Sequence, residues 1–280
     1  MSAPDPGQLA LNTATVRKRW TLAEAIAGCA RHGIGGIAPW RDQLQTMGLD
    51  AASKAIQGNG LTVTGLCRAG LFPAIDAAGR GAALDENRRA LEEAHVLRAR
   101  CLILIAGGLP AGSKDIAGAR TQVQDGIAAL LPFARQAGIP LALEPLHPMY
   151  AADRGCINTL TQALDLCDVL DPRSEGGLGV AVDVYHVWWD PGLERAIARA
   201  GKSRLLAFHI CDWLVPTRDL LNDRGMMGDG VIDLPRIRSW MEDAGYAGFH
   251  EVEIFSELDW WRRDPDEVLV TCKERHRRFC

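Results

Sequence analysis

Hydrophobic positions along this chain fall into two alternating kinds of run, and the alternation predicts eight strand-plus-helix pairs. The first strand is read over 9–16, followed by a helix that opens at Thr21 and stops at Gly33, with Thr21 and Glu24 forming a capping box. A strand over 34–40 and a helix over 44–57 make the second unit, closed by Gly58-Asn59-Gly60. The third has a strand over 61–66, a long connection over 72–85 and a charged helix over 86–98. Strand 101–106 and helix 121–136 form the fourth, and strand Pro140-Leu141-Ala142-Leu143-Glu144 with helix 159–170 the fifth. Strands over 178–186, 205–211 and 249–255, with helices over 193–200, 234–244 and 265–278, complete the series. Strand–helix repetition of this kind predicts an α/β fold, a (β/α)8 TIM barrel formed by one domain over 1–280.

Four consecutive strands end in groups that ligate metals. They are Glu144, Asp183, His209 and Glu253, each where an apolar run stops. In a parallel barrel the carboxyl ends of the strands meet at one mouth, so four such groups converge there. Side chains alternate along a strand, so Ala142, Ala181 and Ala207, two residues before three of these groups, face the same interior. The fourth strand departs from this, because Glu251 lies two before Glu253 and shares its face. Glu253 is preferred as the ligand, with Glu251 partnering an arginine or lysine; the reverse assignment stays open.

Three carboxylates and a neutral imidazole suit one divalent ion of hard to intermediate character: manganese first, magnesium or cobalt as alternatives. Such a centre polarises a carbonyl and stabilises an enediolate, and a glutamate with a free oxygen moves the adjacent proton.

Composition narrows the partners. The 280 residues are 48% hydrophobic, and 31 basic against 35 acidic residues leave a net charge of −4, with no electrostatic reason for a nucleic-acid partner. A small neutral or weakly charged substrate is expected. Eight cysteines without C-x-x-C spacing read as reduced, buried thiols, and the amino terminus lacks the features of a signal peptide, so a soluble cytoplasmic protein is expected. No apolar run reaches membrane-spanning length.

Several motifs are similar to the sugar and sugar phosphate isomerase/epimerase superfamily with the xylose isomerase-like barrel. They are Leu143-Glu144-Pro145-Leu146, Asp183-Val184-Tyr185-His186, His209-Ile210-Cys211-Asp212, Gly228-Asp229-Gly230-Val231-Ile232-Asp233, and Gly245-Tyr246-Ala247-Gly248 ahead of Glu253. Ketose 3-epimerases, hydroxypyruvate isomerase and inosose dehydratase belong to that superfamily, and AP endonucleases are more distant members. The resemblance implies a metal held by Glu144, Asp183, His209 and Glu253, proton transfer by Glu144 and Glu253, and a substrate-binding His186. It also implies a substrate arginine after the seventh strand, for which Arg218 is the candidate.

His147, three residues beyond Glu144, departs from the pattern. As an additional acid or base it opens a lyase reading, elimination from an oxidised sugar or a 3-keto-glycoside. Asp212 is read as orienting His209 or contacting substrate, Arg68 as a strand-end substrate contact, and Trp188 or Trp189 as a sugar-stacking platform, with Trp260-Trp261 left to packing. His32, His95, His250 and His276 read as structural. A hydrolase of the AP endonuclease kind and a non-catalytic binding barrel are the remaining readings. Self-association into a homo-oligomer, or pairing with a smaller subunit, is expected from the tryptophan-rich exterior.

Overall fold

A computed structural model describes residues 3–280. Its main sheet is built from β1 (Leu9–Asn12), β2 (Gly36–Ala38), β3 (Thr62–Val63), β4 (Leu66–Gly70), β5 (Leu102–Ile105), β6 (Leu141–Glu144), β7 (Leu178–Asp183), β8 (Leu205–Ile210) and β11 (His250–Val252). The order is β3-β2-β1-β11-β8-β7-β6-β5-β4, and every pairing in it is parallel. The two edge pieces, β3 and β4, are successive parts of one chain segment. β3 pairs with β2 and β4 with β5, and a parallel bridge from Trp40 to Cys67 draws the two edges together. The sheet is therefore an eight-fold barrel whose third strand is divided, as the alternating pattern predicts.

Side chains pointing outward from the strands pack under helices α1 (Leu22–His32), α2 (Arg41–Met47), α3 (Leu49–Gly58), α4 (Ala77–Leu97), α5 (Ile116–Ala137), α6 (Leu160–Leu170), α8 (Leu193–Arg204), α9 (Leu234–Asp243) and α10 (Pro265–Phe279). Each fully buried Leu or Ile of this layer stabilises the fold by about 1.5–3 kcal/mol. Inside the barrel, Cys67, Cys101, Ile103, Ala142, Ala181 and Ala207 form a separate small cluster. The three alanines below the strand-end ligands thus lie together in the interior, as the register requires.

Several boundaries differ from the sequence reading, each for a local reason. α4 begins nine residues before the expected start because Asp76 caps it, accepting from Gly79 N at 2.8 Å. Asp115 does the same for α5, accepting from Gly118 N at 2.8 Å. β1 stops at Asn12, whose Oδ1 accepts from Ala14 N at 3.0 Å and turns the chain into a 3-10 helix. β7 stops at Asp183, whose Oδ1 accepts from Tyr185 N at 2.9 Å and starts the single turn α7 (Val184–Val187). Hydrophobic periodicity does not see such caps, because one polar atom overrides it.

Remote from the mouth, His250 Nδ1 and His276 Nε2 lie 2.9 Å apart in the core between β11 and α10. Burial, then the facing imidazole and Arg238, push His250 down to about 3; burial and Arg238, opposed by Asp5, push His276 down to about 4. Both rings stay neutral in the folded protein while the unfolded chain protonates near 6.5. Below that pH the unfolded state binds more protons, so stability falls with acidification between about pH 6.5 and 4. Urea unfolding followed from pH 7.5 to 4.5 is expected to show this loss, and His276→Gln to flatten it.

Candidate metal centre

The carboxyl-terminal mouth gathers Glu144 from the end of β6, Asp183 from the end of β7, His209 in β8 and Glu253 just after β11. One ligand atom from each lies within 4.8 Å of the others, and all four residues are buried. The register explains the convergence: Asp183 is paired with His209 across β7 and β8, and Ile105 with Glu144 across β5 and β6. His209 Nδ1 faces Glu144 Oε2 at 3.4 Å and Glu253 Oε2 at 3.7 Å, while its Nε2 faces Glu251 Oε1 at 3.4 Å.

Glu251 therefore stands behind the imidazole. Its Oε1 accepts from Asn12 Nδ2 at 2.8 Å and its Oε2 from Thr64 Oγ1 at 2.6 Å. The expected arginine or lysine partner is replaced by these neutral donors and by His209: Asn12 comes from β1, which pairs with β11, and Thr64 from the link between β3 and β4. Of the two glutamates, Glu253 joins the cluster and Glu251 lies behind its imidazole.

Crowding of this kind has an electrostatic signature. Burial, together with the Asp183 and Glu253 charges, raises the proton affinity of Glu144; burial likewise raises that of Glu253. Asp183 goes the other way, since the Arg224 guanidinium and two imidazoles outweigh its burial. His209 is pulled down by burial, yet Glu251, Glu144 and Glu253 raise it to about 9. Neither ring nitrogen of His209 makes a hydrogen bond among the described residues. Converging oxygens that raise one another, around an imidazole nitrogen without a hydrogen bond, fit a divalent cation: the ion would take the place of the protons such a cluster otherwise retains.

Arg224, which the sequence reading missed, completes the centre. Its Nη1 donates to Asp183 Oδ2 at 2.9 Å and Glu253 Oε2 at 3.1 Å, and its Nη2 lies 3.3 Å from His186 Nε2. Its guanidinium also stacks over Tyr185 and Phe255. Arg218 is a correction: it lies six residues short of this position, outside the cavity, paired with Asp223. An arginine within a polar loop carries no hydrophobic periodicity to mark it as buried.

That loop is folded inward by specific contacts. Asp212 accepts from the backbone nitrogens of Trp213, Gly228, Gly230 and Ile232 at 2.8–3.0 Å. Gly230 is required here, since a Cβ would lie 2.1 Å from Trp213 O. Tyr150 and Tyr185 both donate to Leu220 O, at 2.6 and 2.9 Å. Asp212, read as orienting His209 or contacting substrate, instead organises the loop, because its oxygens are occupied by amides.

Above the centre opens a cavity of about 360 Å³. Glu144, Glu253, His186 and Arg224 line its floor, Arg68 its wall, and Trp40 and Trp261 its aromatic sides. His186 is buried and neutral; burial pushes it down to about 3, and its Nε2 lies 3.7 Å from Glu144 Oε1. Three expectations move. His147 does not line the cavity; it stacks on Trp213 with centroids 5.1 Å apart and accepts from Met149 N, because it caps the short 3-10 helix after β6. Trp188 also packs against Trp213 instead of facing the cavity, while Trp189 donates to His186 O at 2.8 Å. Trp261, read as packing, reaches the cavity wall.

Fold and site define the class, a parallel α/β barrel with a buried carboxylate–imidazole cluster at its carboxyl-terminal mouth. Residues 26–270 match the family described as xylose isomerase-like TIM barrel, and the chain belongs to that family. It is 22% identical over 276 residues to inosose isomerase of Halalkalibacterium halodurans, covering 95% of this chain and 94% of that protein. Protein SMc04130 from Sinorhizobium meliloti 1021 has a crystal structure that superposes with a TM-score of 0.96 at 60% identity, over 99% of both chains. The IolI protein, solved with a zinc atom, shares the fold with a TM-score of 0.80 at 19% identity over 96% of both chains. Among the described residues no helix is long and apolar enough to cross a membrane.

Two outcomes test the geometry. Asp183→Asn is expected to lower the bound metal, measured by elemental analysis after loading and desalting, and Glu251→Gln to weaken metal affinity about 10- to 100-fold. Asp212→Ala leaves four buried amides without an acceptor, and urea unfolding should report a loss of roughly 2–5 kcal/mol.

Proposed function

We propose that this protein is a divalent-metal-dependent isomerase or epimerase of a small sugar or polyol ketone, transferring a proton beside a carbonyl. The observation that carries the reading is the convergence of Glu144, Asp183, His209 and Glu253 within 4.8 Å at the floor of an open cavity. Membership of the xylose isomerase-like family and similarity to an inosose isomerase support it. A divalent ion at the cluster would supply Lewis-acid polarisation of a substrate carbonyl. Manganese is the first ion to test, with magnesium and cobalt; the zinc of the IolI structure adds zinc to that set.

The chain's own residues divide the remaining work. Glu144 makes no hydrogen bond among those described, and its Oε1 faces His186. Lining the cavity floor with an oxygen that no hydrogen bond occupies, it serves as the base that takes a proton from carbon. Glu253 is more tightly held, its Oε1 by Asn12 Nδ2 at 3.0 Å and its Oε2 by Arg224 at 3.1 Å. It serves as the second acid or base, with the Arg224 guanidinium compensating its charge. His186, neutral and anchored through its carbonyl by Trp189, is suited to bind a substrate hydroxyl. Trp40 and Trp261 supply flat apolar faces for the C–H side of a sugar ring. The lyase reading built on His147 loses its base, because that imidazole lies outside the cavity.

In heavy water, the manganese-loaded protein is expected to place deuterium at a carbon beside the carbonyl of its ketose substrate with the skeleton retained, as read by NMR. Chelation should abolish this exchange and a restored divalent ion should return it. Loss of a hydroxyl or an aglycone instead of exchange would overturn the reading.

A further inference from the structure

We infer that the substrate carries an anionic group, a carboxylate or a phosphate, received by Arg68 and Arg154 on the wall of the cavity; this rests on the proposed isomerase site and adds the substrate's charge. Five basic residues line the cavity: Arg17, Lys18, Arg68, Arg154 and Arg224. Four have carboxylate partners. Arg17 pairs with Asp42, Lys18 with Glu257 at 3.7 Å, Arg154 with its exposed neighbour Asp153 at 3.8 Å, and Arg224 with Asp183 and Glu253.

Arg68 is different. It projects from β4, half-buried, and makes no hydrogen bond or ion pair among the described residues. Its guanidinium lies over the Trp40 ring, 5.8 Å from the centroid. Burial lowers its proton affinity, and the Arg154 charge lowers it further, so the two guanidiniums share one region of the wall. Glu144 and Asp42 act on it in the opposite sense, and Glu144 lines the same cavity.

No carboxylate among the described residues lies within ion-pair distance of Arg68, and Glu144 and Asp42 act on it only at longer range. A neutral sugar filling the cavity would strip water from a guanidinium and return no charge, an unfavourable exchange in a partly desolvated site. A carboxylate or phosphate accepts two parallel N–H bonds from an arginine fork and repays that desolvation. The neutral or weakly charged substrate expected from overall composition is therefore replaced by an anionic one: net charge averages over a surface, whereas binding responds to the local field.

The test compares D-fructose, D-fructose 6-phosphate and 2-keto-D-gluconate by isothermal titration calorimetry on the manganese-loaded protein. One anionic probe is expected to bind at least tenfold more tightly than D-fructose, and whichever does so distinguishes phosphate from carboxylate. Arg68→Gln should remove at least tenfold of that advantage and Arg154→Gln about three- to tenfold, with metal content unchanged. Arg68→Lys, which keeps the charge and loses the fork, should retain part of it. Anionic probes binding no tighter than D-fructose, or an advantage untouched by both glutamine variants, would overturn the inference. Arg68-dependent binding without deuterium exchange on any ketose would uphold the anion site and count against the isomerase reading alone.

Discussion

Four buried carboxylates set around one imidazole constrain everything else at the mouth. Glu144, Asp183, Glu251 and Glu253 are all at most 5% exposed, so bulk solvent screens their repulsion poorly. The chain answers with Arg224 on Asp183 and Glu253, with His209 between three glutamates, and with Asn12 and Thr64 on Glu251. A guanidinium brought to this depth must itself be held. That requirement accounts for the pairing of β9 (Asp212–Trp213) with β10 (Arg224–Gly225) and for the segment after β10, whose Gly228, Gly230 and Ile232 amides Asp212 holds.

The two glutamates of β11 divide the labour along one strand. Facing the same way, Glu253 reaches the cluster while Glu251, paired with His209 across β11 and β8, stands behind the imidazole. Ala142, Ala181 and Ala207 pack together in the interior with Cys67, Cys101 and Ile103.

The barrel was legible in the sequence because its evidence is distributed: eight apolar runs, each followed by an amphipathic one, tolerate several boundary errors without changing the fold. The four converging groups were legible for a related reason, since strand ends in a parallel barrel share one location. Arg224 was not. It sits in a loop whose order comes from long-range hydrogen bonds, to Asp212 and from Tyr150 and Tyr185, and no local pattern encodes those. His147 misled in the opposite way, because nearness in sequence to Glu144 suggested shared chemistry. The backbone turns between them, and the imidazole finds Trp213 instead.

The Leu220 carbonyl oxygen accepts from two tyrosine hydroxyls, Asn222 O accepts from Glu257 N at 2.9 Å, and Arg224 N donates to Phe255 O at 2.8 Å. Displacing this segment would break all of those bonds together, so the outline of the mouth on this side is set by backbone carbonyls.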